Sequence, residues 1–430
     1  MSASDEAGGR RPLSIVLLVV FVDLVGFGIL IPIIPLYAAA FGASEFVVGI
    51  LLASYSITQF VFAPILGRLS DERGRRPVLL LSLAGSVIAW TLFGLAQALW
   101  VLFLARFLAG AMGGNIAAAQ ASVADVTTEA NRAKGLGLIG AAFGLGFVFG
   151  PAIGGLVSSP AALSIAESIL PAAVPVSQFT IPSFTAALIT FVNLVAAFFL
   201  LPETNRGAEA RDRERRVAEL KRALASPVLA VLVISFFLAS LAFSGMESMF
   251  VLFTKEVYGY GTAMNGYVLA YLGVIIAVVQ GGLVGRAADI WDEKTLAIGG
   301  VSVEFVGLVA VPFAPQLGRF LPGVGPVGPG LLALLVVLSI LAVGNGFANV
   351  SLTTLVSRSA AERDQGSAFG LTQSAGSIAR AIGPIVAGAL YTGVAYWAPF
   401  VAGGLLLLPI GWLLSRTVIE SPGSPDGTAA

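Results

Sequence analysis

The sequence has no cysteine and no histidine. The first absence excludes disulfides and thiolate metal sites. The second removes the usual metal ligand and the side chain that ordinarily titrates near neutral pH. Any proton this chain moves must travel on carboxylates, and neither a metal nor a cofactor is expected. Charge is scarce too: Asp, Glu, Lys and Arg form 11% of the 430 residues, against 57% apolar. Soluble domains carry about 25% charged residues, so this is the composition of a membrane protein. With no clustered carboxylate pair and no serine elbow, an intramembrane enzyme has little support. Nothing in the pattern points to nucleic acid.

What the chain has in abundance is long apolar runs. Runs fit to span a bilayer as helices, about 20 residues each, recur at 13–40, 45–66, 78–96, 99–124, 134–157, 184–202, 228–253, 263–285, 295–314, 331–355, 366–392 and 396–418. The first exceeds the apolar region of a signal peptide and contains Asp23, so it reads as a membrane helix. The runs fall six and six around the only long charged segment, Glu203 to Ser226. The expected fold is an all-α membrane protein of twelve transmembrane helices in two six-helix halves. These are residues 1–202 and 228–430, the second ending in a short tail, with a linker over 203–227. The linker's mixed charges predict an amphipathic surface helix. Four prolines between Ser158 and Ser183 predict a loop with an interfacial helix, not another span.

Charge sorts by face. Of the 24 Lys and Arg, Arg106 and Arg380 fall inside spans and Lys255 and Arg319 on the face away from the termini; the rest share the termini's face. That asymmetry predicts cytoplasmic termini in an inner (plasma) membrane. The halves also look duplicated: Gly67-Arg-Leu-Ser-Asp71 has an echo in Gly285-Arg-Ala-Ala-Asp289, and Gly150-Pro151 in Gly383-Pro384. Parallel halves with a central loop suit a rocking transporter whose substrate site lies between them.

Asp23, Arg106, Glu247, Glu304 and Arg380 are the ionisable residues within predicted spans. Each costs at least about 2.5–3.5 kcal/mol in hydrocarbon, so each needs a cavity or a partner. Asp23 lies about 15 Å deep and Arg106 about 20 Å above the same face by helical rise, close enough to pair. Glu247 and Arg380 are the corresponding candidates in the second half, while Glu304 has no obvious partner. Gly67 to Pro77 (GRLSDERGRRP) reads as a short ordered hairpin, its glycines allowing close backbone approach and Asp71 placed to cap a helix or pair with Arg75 or Arg76. The fifth helix spaces Gly137, Gly146, Gly150, Pro151, Gly154 and Gly155 so that glycines share a face and proline frees a carbonyl. Phe27, Tyr55, Asn115, Tyr271, Asn345 and Arg380 are candidate cavity residues at spanning depth.

These residues carry a resemblance, over nearly the whole chain, to the major facilitator superfamily, and within it to the twelve-helix drug:proton antiporters of the tetracycline-exporter type. GRLSDERGRRP resembles the family's signature loop, LARFLAGAMGGNIAAA its fourth-helix arginine motif, and Gly137 to Gly155 its antiporter motif. Leu-Pro-Glu-Thr at 201–204 and FVDLVGFGILIPIIPLY around Asp23 are similar to further family segments. The resemblance implies a gate at Gly67, Asp71, Arg75 and Asp125, with Asp71 reaching the other half near the eleventh helix. It also implies proton coupling at Arg106. One departure is that GRAADIWDEK, the second-half copy of the loop, lacks the arginine cluster.

The expected function is export of a lipophilic or amphiphilic small molecule in exchange for protons, by a monomer in the bilayer, with proton coupling at Asp23, Arg106 and Glu247. An importer or facilitator of a metabolite or sugar is the alternative on the same fold, opposed by the fifth-helix spacing. A receptor or scaffold that transports nothing is the alternative from another class.

Overall fold

A computed structural model describes residues 3–113, 115–127, 129–204, 226–323, 325, 327–360 and 365–417. The linker helix and the tail expected from sequence lie outside these residues. Among them, eleven helices are long and apolar enough to cross a membrane: α1 (Pro12–Ala40), α2 (Glu45–Arg73), α3 (Arg75–Gly94), α4 (Leu99–Val126), α5 (Gly137–Val157), α6 (Thr180–Leu200), α7 (Pro227–Tyr258), α8 (Thr262–Ala288), α9 (Glu293–Gly318), α10 (Pro329–Ser359) and α12 (Ala398–Arg416). The twelfth, α11 (Gln365–Gly393), is as long as α2 but diluted by Ser367, Thr372, Gln373, Ser374, Ser377 and Arg380. The fold is thus the expected bundle of twelve helices, six and six. A short helix, Pro160–Ile169, buries none of its residues and stands between α5 and α6.

Local breaks follow composition. Pro32 and Pro35 interrupt α1 over residues 31–33, because neither can donate to the helix ladder. A π-turn at Val279–Leu283 (VQGGL) interrupts α8. The charged stretch 67–77 is the expected short hairpin, tighter than the apolar runs suggest: α2 continues through Arg73 and α3 begins at Arg75, leaving only Gly74 outside a helix, at φ 101°. Glu203 makes this possible. Its carboxylate accepts the backbone N–H of Arg75 at 2.8 Å and of Arg76 at 3.2 Å, satisfying orphan donors at the positive end of α3.

Two seams join the halves, α5 on α8 and α2 on α11. Both use one device. A Cβ on Gly266 of α8 would lie 2.6 Å from the Pro151 carbonyl, and one on Gly49 of α2 would collide with the Pro384 carbonyl. The duplicated Gly-Pro sequences therefore occupy equivalent places, each pressing a carbonyl onto a glycine of the other half. Within the first half, Gly146, Gly150 and Gly154 pack instead on Leu24, Gly28 and Ile29 of α1.

Among the described residues the seams reach inward to about Gly273 of α8, which packs on Phe147 and Val148 of α5. They close from the face opposite the termini, hereafter the far face. The side-chain hydrogen bonds that cross between halves among the described residues, at Thr392 and at Thr262, lie there. One apolar core unites the second half with the far-face part of the first, including Leu30, Phe93, Phe253 and Phe400. A separate core, including Val16, Leu79, Leu83 and Ile139, fills the terminus side of the first half alone. Toward the termini Ile57, Phe60, Val61, Phe62 and Ile65 of α2 are exposed, as are Val278 and Leu283 of α8. The bundle is closed at the far face and parted at the terminus face.

Candidate functional site

The central space between the halves is bounded in the first half by Arg106 and Tyr55. Arg106 is 3% exposed. Its guanidinium lies 4.7 Å from the Tyr55 ring centroid, and Nη2 donates to the Leu52 carbonyl at 3.1 Å. Nε and Nη1 are buried without a hydrogen-bond partner among the described residues. The Arg106 guanidinium is thus taken up by the aromatic face of Tyr55 and the Leu52 carbonyl, not by a direct hydrogen bond to Asp23. Asp23 turns inward, into a pocket lined by Val19, Leu24, Leu79, Leu83, Ile116 and Ala119 among α1, α3 and α4. Phe27 sits 5.1 Å from Tyr55 and 6.4 Å from Trp90, centroid to centroid. Gln59 donates to the Gly113 carbonyl at 2.8 Å beside the Tyr55 hydroxyl. The Asn115 side chain lies outside the described residues.

Tyr55 feels the charges of Arg106, Asp23 and, from the other half, Arg380. Arg380 is exposed and donates to Ser377 Oγ at 3.2 Å. Glu247, half-buried on α7, shares its field with no direct hydrogen bond among the described residues. Arg380 thus lies within electrostatic range of Tyr55 in the first half and of Glu247 in its own, with Asp23 and Arg106 on the first-half side.

Three expectations for the second half change. Glu304 does have a partner: its Oε1 accepts from Asn345 Nδ2 at 2.9 Å, while Oε2 is buried without one among the described residues. Asn345 is consequently turned toward α9 and away from the central space. A carboxyl group at 0% exposure between α9 and α10 needs a donor, and Asn345 is the one within reach. Tyr271 is also occupied, its hydroxyl 2.6 Å from Ser339 Oγ, tying α8 to α10 within the half.

At the terminus face, Arg75 gathers the loop motif. It pairs with Asp71, bonds Asp125 at 3.0 Å and Ser70 at 2.8 Å, and is itself buried. Of the two partners offered to Asp71, Arg75 is the one used; Arg76 instead donates to the Phe198 carbonyl. Gly67 and Gly137 depart from expectation, since among the described residues a Cβ on either would meet nothing within 4 Å. Their backbones make no close approach, because both lie where the halves have parted. Sequence reasoning missed Glu203 as the cap of α3, and missed Gly49 and Gly266 as seam partners. The Leu-Pro-Glu-Thr segment marked the first position, but nothing in the sequence marked which helix end it would cap.

Comparisons with known proteins agree with this architecture. The Major Facilitator Superfamily profile matches residues 16–384 and 283–429. The tetracycline resistance protein, class B, of Escherichia coli is 33% identical over 427 residues, covering 97% of this chain and 98% of its own length. Multidrug resistance protein 2 of Bacillus subtilis (strain 168) is 25% identical over 399 residues, 91% of this chain and 92% of the other. Among solved structures, a bacterial homologue of the human lysosomal transporter Spinster, inward-facing and occupied, superposes with a TM-score of 0.76. It does so at 15% identity over 96% of this chain and 98% of that one, a likeness of fold. A matched profile across the chain and a relative of this identity over nearly its full length place the protein: it belongs to the Major Facilitator Superfamily.

Proposed function

We propose that this protein is a proton-coupled secondary transporter that exports lipophilic or amphiphilic small molecules by rocking its two halves about the central space. Tetracycline, named in its relatives, is the first substrate to try. The observation that carries the reading is a bundle closed at the far face and parted at the terminus face, with the Arg106 guanidinium buried against the Tyr55 ring at its centre. A ligand entering from the terminus face would meet both halves there.

In this reading the terminus face is cytoplasmic, following the arginine bias of the loops. Residues 1–202 and 228–430 move as the two bodies, joined by the 203–227 linker, and the monomer is the working unit. Asp23 and Glu247 hand over the proton, Arg106 and Arg380 stabilise the ionised carboxylates, and Phe27, Tyr55 and Arg380 line the substrate's side. Asp71, Arg75 and Asp125 form the cytoplasmic gate. Gly146, Gly150, Pro151, Gly154 and Gly155 give α5 its close fit to α1 and α8.

Reconstitution in liposomes tests this. An imposed proton gradient should drive tetracycline uphill, and Asp23→Asn or Glu247→Gln should uncouple that movement. Flux indifferent to the gradient in wild type and variants alike overturns the coupling.

A further inference from the structure

We infer that Thr392 and Gln178 are paired latches that hold the far face shut, one on each seam, and so set which side of the membrane the resting protein opens toward. The inference rests on the rocking-halves reading. At the α2–α11 seam, Thr392 Oγ1 accepts the backbone N–H of Phe46 at 3.1 Å and donates to Glu45 Oε2 at 3.2 Å. One hydroxyl of the second half thus ties down both the free helix N-terminus and the first acidic side chain of α2. At the α5–α8 seam, Thr262 Oγ1 donates to Gln178 Oε1 at 3.1 Å. Gln178 belongs to the segment between α5 and α6, and that segment is pinned at its base. Ser158 Oγ donates to the Gln178 carbonyl at 3.3 Å, and the Phe179 ring stacks on Tyr37 at 4.6 Å and 7°.

The two ties are equivalent in place. Each sits beyond a glycine seam, Gly388 against Glu45 and Phe46 on one side and Gly155 against Gly266 on the other. Close glycine packing is van der Waals contact and needs registration to form. The latches supply it, at the far-face end of each seam. They are positioning residues, removed from the site where substrate and proton exchange, and they give the Ser158–Ser183 segment a task.

The absence of native cysteine makes the test direct. Leu95→Cys and Phe320→Cys, 51% and 84% exposed on far-face loops of opposite halves, accept spin labels without competing sites. Pulsed electron–electron distance measurements on the full-length protein then report far-face opening. Thr392→Val and Gln178→Leu each remove a polar tie at similar volume. The ratio of far-open to far-closed protein should rise roughly five-fold per latch, the scale of one net hydrogen bond. Thr392→Ser should restore the wild-type distribution, and Gly49→Ala, which wedges the seam by bulk alone, shows that the label pair reads opening. Apparent KM for export should rise in the double variant while kcat changes less, because fewer molecules wait open to the loading side. A distribution unchanged in the double variant, with Gly49→Ala widened, overturns the latch. Widened distances with flux indifferent to a proton gradient would sink the coupling and leave the latch standing.

Discussion

Gly155 of α5 and Gly266 of α8 face each other across the boundary between the halves, so closely that a Cβ on Gly266 would lie 2.5 Å from the Gly155 Cα. A side chain at either position has no neighbour that can swing aside, because backbone faces backbone. Gly266→Ala should cost about 1–3 kcal/mol of stability through overpacking. It should also impair far-face closure, visible as a lowered melting temperature and reduced export. Gly137→Ala, by contrast, meets nothing within 4 Å among the described residues and should leave the melting temperature unchanged or slightly raised.

The Arg75 hub predicts an uneven mutational series. Its Asp71 partner is 48% exposed, and its Asp125 partner 16%. Asp71→Asn should change unfolding free energy by less than about 1 kcal/mol, since a solvated pair contributes little. Arg75→Ala strands the more buried Asp125 carboxylate and should cost about 3–5 kcal/mol. Thermal unfolding in one detergent compares them, and part of the loss should return in Arg75→Ala combined with Asp125→Asn.

Asp292, just outside α9, caps that helix by accepting the Thr295 N–H at 2.9 Å and the Thr295 hydroxyl at 2.7 Å. Those bonds hold its carboxyl below the usual carboxylate value of 3.8. A carboxylate depressed in the folded state stabilises fully above its unfolded value and loses that contribution as pH falls through the folded one. The melting-temperature gap between wild type and Asp292→Ala should therefore be constant at neutral pH and shrink below about pH 4.

The Glu304–Asn345 pair makes a further prediction. Asn345→Leu removes the one hydrogen bond that a fully buried carboxyl group makes among the described residues and should cost about 1–3 kcal/mol. Glu304→Gln preserves an acceptor for Asn345 and should cost less. Equal losses in a urea or thermal series would mean that the hydrogen bond is not what holds α9 to α10.

Much of this could be read from the chain because bilayer physics leaves few options. Apolar run lengths set the helix count, the absence of His and Cys narrowed the proton chemistry, and the repeated Gly-Pro marked the seams. The site was less legible. Depth along a helix put Asp23 and Arg106 at similar levels, but helical rise does not say which way a side chain turns, and Tyr55 intervened. Asn345 and Tyr271 looked free in the sequence because their partners, Glu304 and Ser339, come from neighbouring helices distant in the chain. The sequence marks Gly74 for close backbone approach but not the partner that lets two helices abut there, because the Glu203 carboxylate is 128 residues beyond Arg75. Polar residues inside a membrane are spoken for by neighbours that periodicity cannot name.

The most direct test of the account is proton release on ligand binding. Purified protein in weakly buffered detergent solution, with a pH indicator, should release about one proton as the tetracycline probe binds, because in an exchanger substrate and proton compete for the site of Asp23 and Glu247. The double variant Asp23→Asn, Glu247→Gln should bind without release. Saturable binding by the wild-type protein with no proton released would contradict the claim that acidic side chains couple the two movements.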